Sequence, residues 1–185
     1  MEPPTGTGIK RLNWGCGPRA RPGWINSDRR TGEGIDLSCD ILHGLPLESD
    51  GLDYIVSIHA LQDLAYADVL PALRELRRIL KPGGVLRLGL PDLDKAIRAY
   101  LRHDHAYFYV PHEDARSIGG KLVTQMIWYG SIRTPMTYDF LEEWLQKAEF
   151  TRVNRCGYQE TKSRYPEIVE LDNRERESLF AEAVK

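Results

Sequence analysis

The sequence predicts an α/β fold whose sheet is mostly parallel and ends in an antiparallel pair of strands. Strand-like and helix-like segments alternate through the middle of the 185-residue chain, which indicates strands joined by helical crossovers. The apolar segment LDYIVSI (52–58) fits a strand buried on both faces, as in a parallel sheet. The last two strand-like segments follow each other with no predicted helix between them, which indicates antiparallel pairing. The length favours a single domain.

Seven segments are predicted as strands because they are short, apolar and rich in β-branched residues, or because they alternate apolar with polar residues. The third of them, GIDLSCDI, shows the alternation most plainly. The seven predicted strands are residues 9–14, 23–28, 34–41, 52–58, 85–90, 150–156 and 177–184.

Three segments are predicted as helices from apolar residues at helical spacing. Pro71 is expected in the first turn of the first helix, where a missing N–H matters little. KPGG (81–84) is expected to end that helix with a glycine cap, and Thr137 to cap the start of the third. The predicted helices span residues 66–80, 91–103 and 137–149.

Composition gives no case for nucleic acid or for an anionic membrane as partner, because 25 basic residues face 27 acidic ones for a net charge of -2. No apolar run approaches the roughly 20 residues that span a bilayer. Residues 1–8 are neither basic nor apolar and are expected to be a disordered lead to a domain over 9–185. The three scattered cysteines (Cys16, Cys39, Cys156) indicate neither a disulfide framework nor a metal site. Their small odd number favours a reducing compartment, so we expect a cytoplasmic protein.

The glycine-rich segment GCGPRA (15–20) formally matches the dinucleotide fingerprint G-x-G-x-x-G/A. Two details disfavour NAD. Pro18 removes a backbone donor from the turn, and Asp28 lies 13 residues after Gly15, where the NAD pattern places its acid roughly 20 residues on. A cofactor without a pyrophosphate fits better, and a plain tight exit from the strand is the alternative.

Five segments together resemble class I S-adenosylmethionine-dependent methyltransferases of the small bacterial, type 11-like kind. LNWGCG resembles the family's first motif, INSD its second strand with a terminal acid, and CDI its third-strand acid. LPLESDGLDYIVSIHALQDL and ELRRILKPGGVLRLGLPD are similar to two further family blocks, so the resemblance covers roughly residues 9–94 in order. It implies a Rossmann-like seven-stranded sheet, here in a compact variant with a reduced first helix.

The resemblance also implies S-adenosylmethionine as cofactor and S-adenosylhomocysteine as product. Two glycines would let the backbone approach the methionine portion, Asp28 would accept from the ribose hydroxyls, and Asp40 from the adenine amino group. A turn-forming aspartate and a plain strand exit are the alternatives at these two acids. The implied cofactor-binding set is Asn13, Trp14, Gly15, Cys16, Gly17, Asp28, Arg29, Asp40, Ile41, Leu42, His59 and Leu61.

The sequence departs from the family in two places. Gln62 and Asp63 stand where many relatives have Glu-His, and PRARPGW (18–24) is too short for a full crossover helix. Arg19 and Arg21 in that short connection either approach the carboxylate of the cofactor or face only solvent.

Residues 103–135, rich in histidine and aromatic residues, are expected to be an insertion that covers the substrate. Tyr107, Tyr109 and Trp128 either line a pocket or face the core. The catalytic residue is unknown; the candidates by residue type are His59, His103, His105 and His112.

The predicted function is methyl transfer to a small-molecule acceptor, with sugars and natural-product-like molecules among the candidates. A non-catalytic S-adenosylmethionine-binding or partner protein is the alternative, and a NAD(P)-binding oxidoreductase domain is less favoured.

Overall fold

A computed structural model describes residues 8–185 of the chain. The predicted lead, residues 1–8, lies outside the described residues except for Gly8. The strands are β1 (Arg11–Trp14), β2 (Ile25–Asp28), β3 (Leu37–Ser38), β4 (Leu52–Ile58), β5 (Leu80–Pro91), β6 (Arg152–Cys156) and β7 (Ser178–Val184). The α-helices are α1 (Tyr66–Ile79), α2 (Leu93–Leu101), α3 (Ile118–Ile127) and α4 (Tyr138–Lys147).

The seven strands form one sheet in the order β3-β2-β1-β4-β5-β7-β6. The first five strands are parallel to one another, and β7 runs antiparallel to both β5 and β6. This confirms the predicted fold class. The strand order reverses between β1 and β4, and ligands bind in the crevice at such a switch point, outside the carboxyl ends of the strands.

One face of the sheet is covered by helices. Alternate residues of the central strands, such as Leu12, Leu86 and Leu88, point to this face and are fully buried. They pack against the apolar sides of α1 and α4, whose residues recur at helical spacing. This face is the main hydrophobic core.

The opposite face is covered by the β6–β7 connection, residues 157–177. Trp24 and Tyr54 pack there against Tyr165 and Ile168 of the connection. The connection contains a single 3-10 turn, Pro166–Val169, and no α-helix. The final two strands therefore pair as predicted but are not joined by a tight hairpin.

A buried ion network fixes the β6–β7 connection to the sheet. Arg87 of β5 donates to both carboxylate oxygens of Asp172, at 2.7 and 2.5 Å, and to Glu182 of β7 at 2.8 Å. The three side chains are at most 2% exposed. Two backbone carbonyls of the connection accept from the same guanidinium, so all of it is hydrogen-bonded inside the protein.

The first crossover is reduced, as predicted. Residues 15–24 between β1 and β2 contain turns and no helix, although the two strands pair in parallel. The third predicted strand, residues 34–41, is shorter than expected, because only Leu37–Ser38 pairs with β2.

Two local predictions are wrong. Pro71 is the sixth residue of α1, one turn later than expected. KPGG (81–84) does not cap α1, because the helix ends at Ile79 and the chain enters β5 directly at Leu80 in extended conformation. Thr137 is the N-cap residue of α4, as predicted, although its hydroxyl donates to the side chain of Asp139 and not to a backbone group.

No helix among residues 8–185 combines the length and the apolar character that a membrane span requires.

Candidate functional site

The glycine turn, residues 15–17, follows β1 at the switch point. The backbone N–H groups of Gly15 and Cys16 both donate to the Ser27 carbonyl of β2, at 2.8 and 3.0 Å. Gly15 has φ +69°, and a Cβ atom there would lie 2.2 Å from the Cβ of Ala60. Glycine is therefore required at this position, where the turn passes against the chain that follows β4.

Gly17 differs from Gly15 in its surroundings. Its φ is +51°, and a Cβ atom added there would have no other atom within 4 Å. The backbone at Gly17 is thus open to a ligand.

Asp28, at the end of β2, is joined to the glycine turn. Its Oδ2 accepts from the N–H of Gly17 at 2.8 Å, and its Oδ1 accepts from the N–H of Arg30 at 2.9 Å. A carboxylate oxygen has more than one acceptor position, so each oxygen keeps capacity for a ligand hydroxyl. Asp28 is half-buried, and Arg29 beside it is exposed.

Asp40 follows β3 at the same edge of the sheet. Its Oδ1 accepts from the N–H of Leu42 at 3.0 Å and so caps the 3-10 turn Ile41–His43. The side chain of Leu42 is exposed. The geometry fits a structural cap as well as the adenine contact that the resemblance implies.

Four other members of the predicted set are buried. Trp14, Ile41 and Leu61 pack in the main core, so any contact they make with a ligand runs through backbone atoms. Asn13 supports the short connection after β1, because its amide donates to the carbonyl of Arg19 and to the side chain of Asn26, both at 3.1 Å.

Cys16 is buried in the glycine turn. Burial, with a smaller contribution from the nearby Asp28 carboxylate, raises the pKa of its thiol to about 11. The thiol is therefore protonated at neutral pH and is not a nucleophile.

His59 follows β4, opposite the glycine turn, and has φ +57°. Its Nδ1 lies 3.3 Å from Nη1 of Arg174, and its Nε2 lies 2.7 Å from the hydroxyl of Ser178. A guanidinium only donates, so Nδ1 accepts and Nε2 carries the proton and donates to Ser178. Burial lowers the pKa of His59 to about 3, helped by the charges of Arg174 and Arg19, so the ring is neutral.

Two cavities meet at His59 and Arg174. The first cavity, of about 220 Å³, is bounded by the glycine turn, Arg19, Arg21 and residues 170–174 of the β6–β7 connection. Beyond it, an open groove of about 880 Å³ shares Gly17, Pro18 and Arg21 with the first cavity and extends past Asp28. A continuous surface therefore leads from His59 over the glycine turn to Asp28.

The second cavity, of about 140 Å³, lies on the other side of His59 and Arg174. Two glutamines of this cavity each have one unpartnered side-chain atom. Gln62 donates to Asp63 through Nε2 at 3.0 Å, but its Oε1 has no hydrogen-bond partner among the described residues. Gln125 accepts from the N–H of Tyr109 at 2.7 Å, but its Nε2 has no partner there either. Both glutamines are buried. The other residues that line the cavity include Trp128, Ser131, Ile132 and Glu177.

The segment predicted to cover the substrate, residues 103–135, packs on α2 through Tyr107, Phe108 and Met126. It contributes Gln125 and Trp128 to the second cavity, whereas Tyr107 faces the core. Its role as a cover stays a prediction.

The structure does not bring the four candidate histidines together. His103, His105 and His112 are exposed, and none of them lines the two cavities. Only His59 lies at the site. Among residues 8–185, no group of three or more histidine, cysteine or acidic side chains is placed to hold a metal ion.

Sequence reasoning missed Arg174, Glu177 and Gln125. All three lie in segments without a recognisable motif, and Arg174 and Gln125 are separated from His59 by 115 and 66 positions (174 minus 59; 125 minus 59). Gln62 of the second cavity is marked in the sequence, because it departs from the Glu-His pair of many family members.

Comparison with known proteins agrees with this geometry. A family model described as a methyltransferase domain matches residues 20–88. The match begins just after the glycine turn and runs into β5. An uncharacterized 37.1 kDa protein in transposon TN4556 of Streptomyces fradiae is 37% identical over an alignment of 78 residues, which covers 37% of this chain and 22% of that protein. The chain therefore spans about a fifth of that relative.

Solved structures share the whole fold at low identity. A SAM-dependent methyltransferase of Thermotoga maritima, a possible histamine N-methyltransferase, superposes with a TM-score of 0.58 at 18% identity, over 98% of this chain and 84% of that one. A SAM-dependent methyltransferase of Archaeoglobus fulgidus gives 0.56 at 14% identity, over 96% and 87%. These findings confirm the resemblance to class I S-adenosylmethionine-dependent methyltransferases. S-adenosylmethionine is the cofactor of that family, with S-adenosylhomocysteine as its product.

Proposed function

We propose that this protein transfers a methyl group from S-adenosylmethionine to a small-molecule acceptor, with sugars and natural-product-like molecules among the candidates. One observation carries the proposal: the glycine turn after β1 is joined to the acid at the end of β2 by the hydrogen bond from Gly17 to Asp28, 2.8 Å long. This junction lies at the switch point of a sheet with the methyltransferase strand order.

The residues present fit the cofactor. Gly17 has open space above its backbone, which suits close approach by the methionine portion. The Asp28 oxygens retain acceptor capacity for ribose hydroxyls, and Asp40 with Leu42 offers an acceptor and an exposed apolar surface for adenine. Arg19 and Arg21 line the first cavity, which favours an approach to the carboxylate of the cofactor over a purely solvent-facing position.

In methyl transfer the protein mainly aligns the methyl donor with the acceptor and excludes water, and reactive side chains matter less. When bound, S-adenosylmethionine supplies a methyl group on a sulfonium: the lone pair of the acceptor bonds to the methyl carbon, the carbon–sulfur bond breaks, and its electrons stay on sulfur. The second cavity is the expected place for the acceptor, because it adjoins the first at His59. The groups of the second cavity that can take a proton from the acceptor include the ring of His59 and the carboxylates of Asp63 and Glu177.

A non-catalytic cofactor-binding protein is the second candidate. The observation that favours it is the state of His59, whose Nδ1 atom is already occupied by Arg174. With His103, His105 and His112 on the surface, no free imidazole lines the second cavity.

Calorimetry with S-adenosylmethionine, S-adenosylhomocysteine and NAD tests the cofactor. We expect binding of the first two and not of NAD. Binding of NAD alone would contradict the proposal. A panel of acceptors with radiolabelled methyl donor then separates an enzyme from a non-catalytic binding protein: label transferred to any acceptor excludes the second.

A matched pair of glycine variants locates the binding site. Gly17 and Gly83 both have positive φ, and both have open space where a Cβ would lie. Each change to alanine places a non-glycine residue in the left-handed region, at a similar cost of about 1 kcal/mol. We expect Gly17→Ala to weaken S-adenosylhomocysteine binding about tenfold or more by blocking backbone approach, and Gly83→Ala to leave it unchanged. Equal affinity in the two variants would remove the glycine turn from the site.

A further inference from the structure

We infer that Arg174 binds the carboxylate of the methionine portion of the cofactor, and that this binding releases the Nδ1 atom of His59. The inference deepens the proposed function and rests on it. It assigns a positioning role to a residue of the β6–β7 connection, which covers the sheet face opposite α1 and α4.

The charges of the first cavity point to an anionic group. Three arginines, Arg19, Arg21 and Arg174, line it. The two acids in its wall already have cationic partners elsewhere: Asp172 is bound by Arg87, and Glu170 lies 3.8 Å from Arg11. Among the described residues, neither Arg19 nor Arg21 forms an ion pair. A ligand carboxylate is the complementary group, and a guanidinium binds it in a two-pronged geometry.

Arg174 is the arginine best placed to respond to that carboxylate. Its side chain is 47% exposed and lines both cavities. Its interactions are weak ones: a 3.3 Å contact with Nδ1 of His59 and a 3.7 Å approach to Glu177. A carboxylate in the first cavity competes well for this guanidinium, because a charge-assisted bond is stronger than a bond to a neutral imidazole.

Movement of the Arg174 guanidinium toward a carboxylate changes the surroundings of His59. The ring is then left with Ser178 on Nε2, while Nδ1 becomes a free acceptor on a side chain that borders both cavities. The charged groups that remain around the ring are Arg19, Asp63 and Glu177. Of the two cations near His59, Arg174 is then paired with the ligand carboxylate and only Arg19 is left. Cofactor binding would thereby prepare the atom that receives a proton from the acceptor.

Two ligands separate this role from general cofactor binding. S-adenosylhomocysteine carries the carboxylate, and 5′-methylthioadenosine has the same nucleoside and sulfur without it. We expect Arg174→Gln to weaken S-adenosylhomocysteine binding about tenfold or more, and to change 5′-methylthioadenosine binding by less than about twofold.

Arg176→Gln is the matched control. Arg176 is also an exposed arginine of the connection, but it stacks on Tyr107 and Tyr109 and lines neither cavity. It should leave the affinity for both ligands unchanged. Melting temperatures of the two variants check that folding is retained.

Nitrogen-15 spectra of the His59 ring test the coupling itself. We expect S-adenosylhomocysteine to shift the Nδ1 resonance of the wild type, 5′-methylthioadenosine to leave it in place, and Arg174→Gln to show the shifted position without ligand. Equal affinity of wild type and Arg174→Gln for S-adenosylhomocysteine, or an unmoved Nδ1 resonance, would overturn the inference alone. Binding of neither ligand by the wild type would overturn the proposed function and this inference with it.

Discussion

The two faces of the sheet are closed in different ways. On one face, α1 and α4 bury a continuous apolar core over β1, β4, β5 and β7. On the other, the β6–β7 connection closes the sheet with an aromatic cluster and with the ion network around Arg87. The first cavity borders residues 170–174 of this second face, and the second cavity borders Arg174 and Glu177.

The difference teaches that both faces contribute to stability, whereas the arginine-rich parts of the candidate site belong to the second face. A face closed by a connection brings arginines, acids and backbone groups to the carboxyl ends of the strands, where the switch point lies. The predictions that follow test how far this division holds.

The largest effect is expected from Arg87→Met. Removing the guanidinium leaves Asp172 and Glu182 as buried carboxylates without their cation, which costs about 4 kcal/mol of unfolding free energy. Urea denaturation measures the change. Leu88→Ala, one residue along the same strand but facing the helices, is the control: it costs about 3 kcal/mol by cavity formation and should not alter S-adenosylhomocysteine binding. A wild-type stability for Arg87→Met would show that the network does not hold the connection.

Gly15→Ala is expected to cost about 3 kcal/mol, because it combines a positive φ with a contact at 2.2 Å to the Cβ of Ala60. The double change Gly15→Ala with Ala60→Gly removes the contact but not the backbone strain. It should therefore recover part of the loss. If it recovers nothing, the close approach is not what requires glycine at this position.

The state of His59 predicts a pH dependence of stability. The unfolded chain takes up a proton as the pH falls through the ordinary value of 6.5, but the folded protein does so only near the lowered pKa of about 3. Stability is therefore lost as the pH falls between these values, by about 2 kcal/mol at pH 5. His59→Asn, which tolerates the positive φ, should flatten the curve between pH 7 and 5. His112→Gln, an exposed control, should leave it unchanged; a similar slope in all three proteins would contradict a neutral His59.

The smallest effect concerns the ligand. Asp28→Ala should weaken S-adenosylmethionine binding by about tenfold or more, about 1.4 kcal/mol, through the loss of charge-assisted acceptors. Calorimetry gives the affinity, and circular dichroism checks that the loss of the Gly17 contact has not disturbed the fold. Unchanged affinity would remove Asp28 from the site.

The face covered by α1 and α4 could be predicted from the sequence because it depends on residue patterns within single elements. The apolar repeat of α1 and the run of β4 specify their own periods and their buried sides. The motifs around the glycine turn and Asp28 likewise lie close together in the chain. Local reasoning failed at KPGG, because pairing of Leu80 with Leu52 extends β5 backward and removes the need for a glycine cap.

The second face could not be predicted, because it depends on partners far apart in the chain. Arg87 alternates with leucines in VLRLGL and so is typical of a strand with one solvated face. Its burial becomes intelligible only with Asp172, 85 positions later, and Glu182, 95 positions later. No local pattern marks Arg174 either, since its contact with His59 depends on how the whole connection crosses the sheet.

The position of β7 has a consequence for synthesis. This strand lies between β5 and β6, although it is made after both. Chains emerge from the ribosome with their N-terminal parts first. The edge of β5 that pairs with β7 therefore has no partner strand while residues 92–177 are synthesised. The residues that wall the first cavity, 170–174, appear only just before β7 itself. Cofactor binding at the proposed site therefore requires residues that are synthesised after β1 to β6.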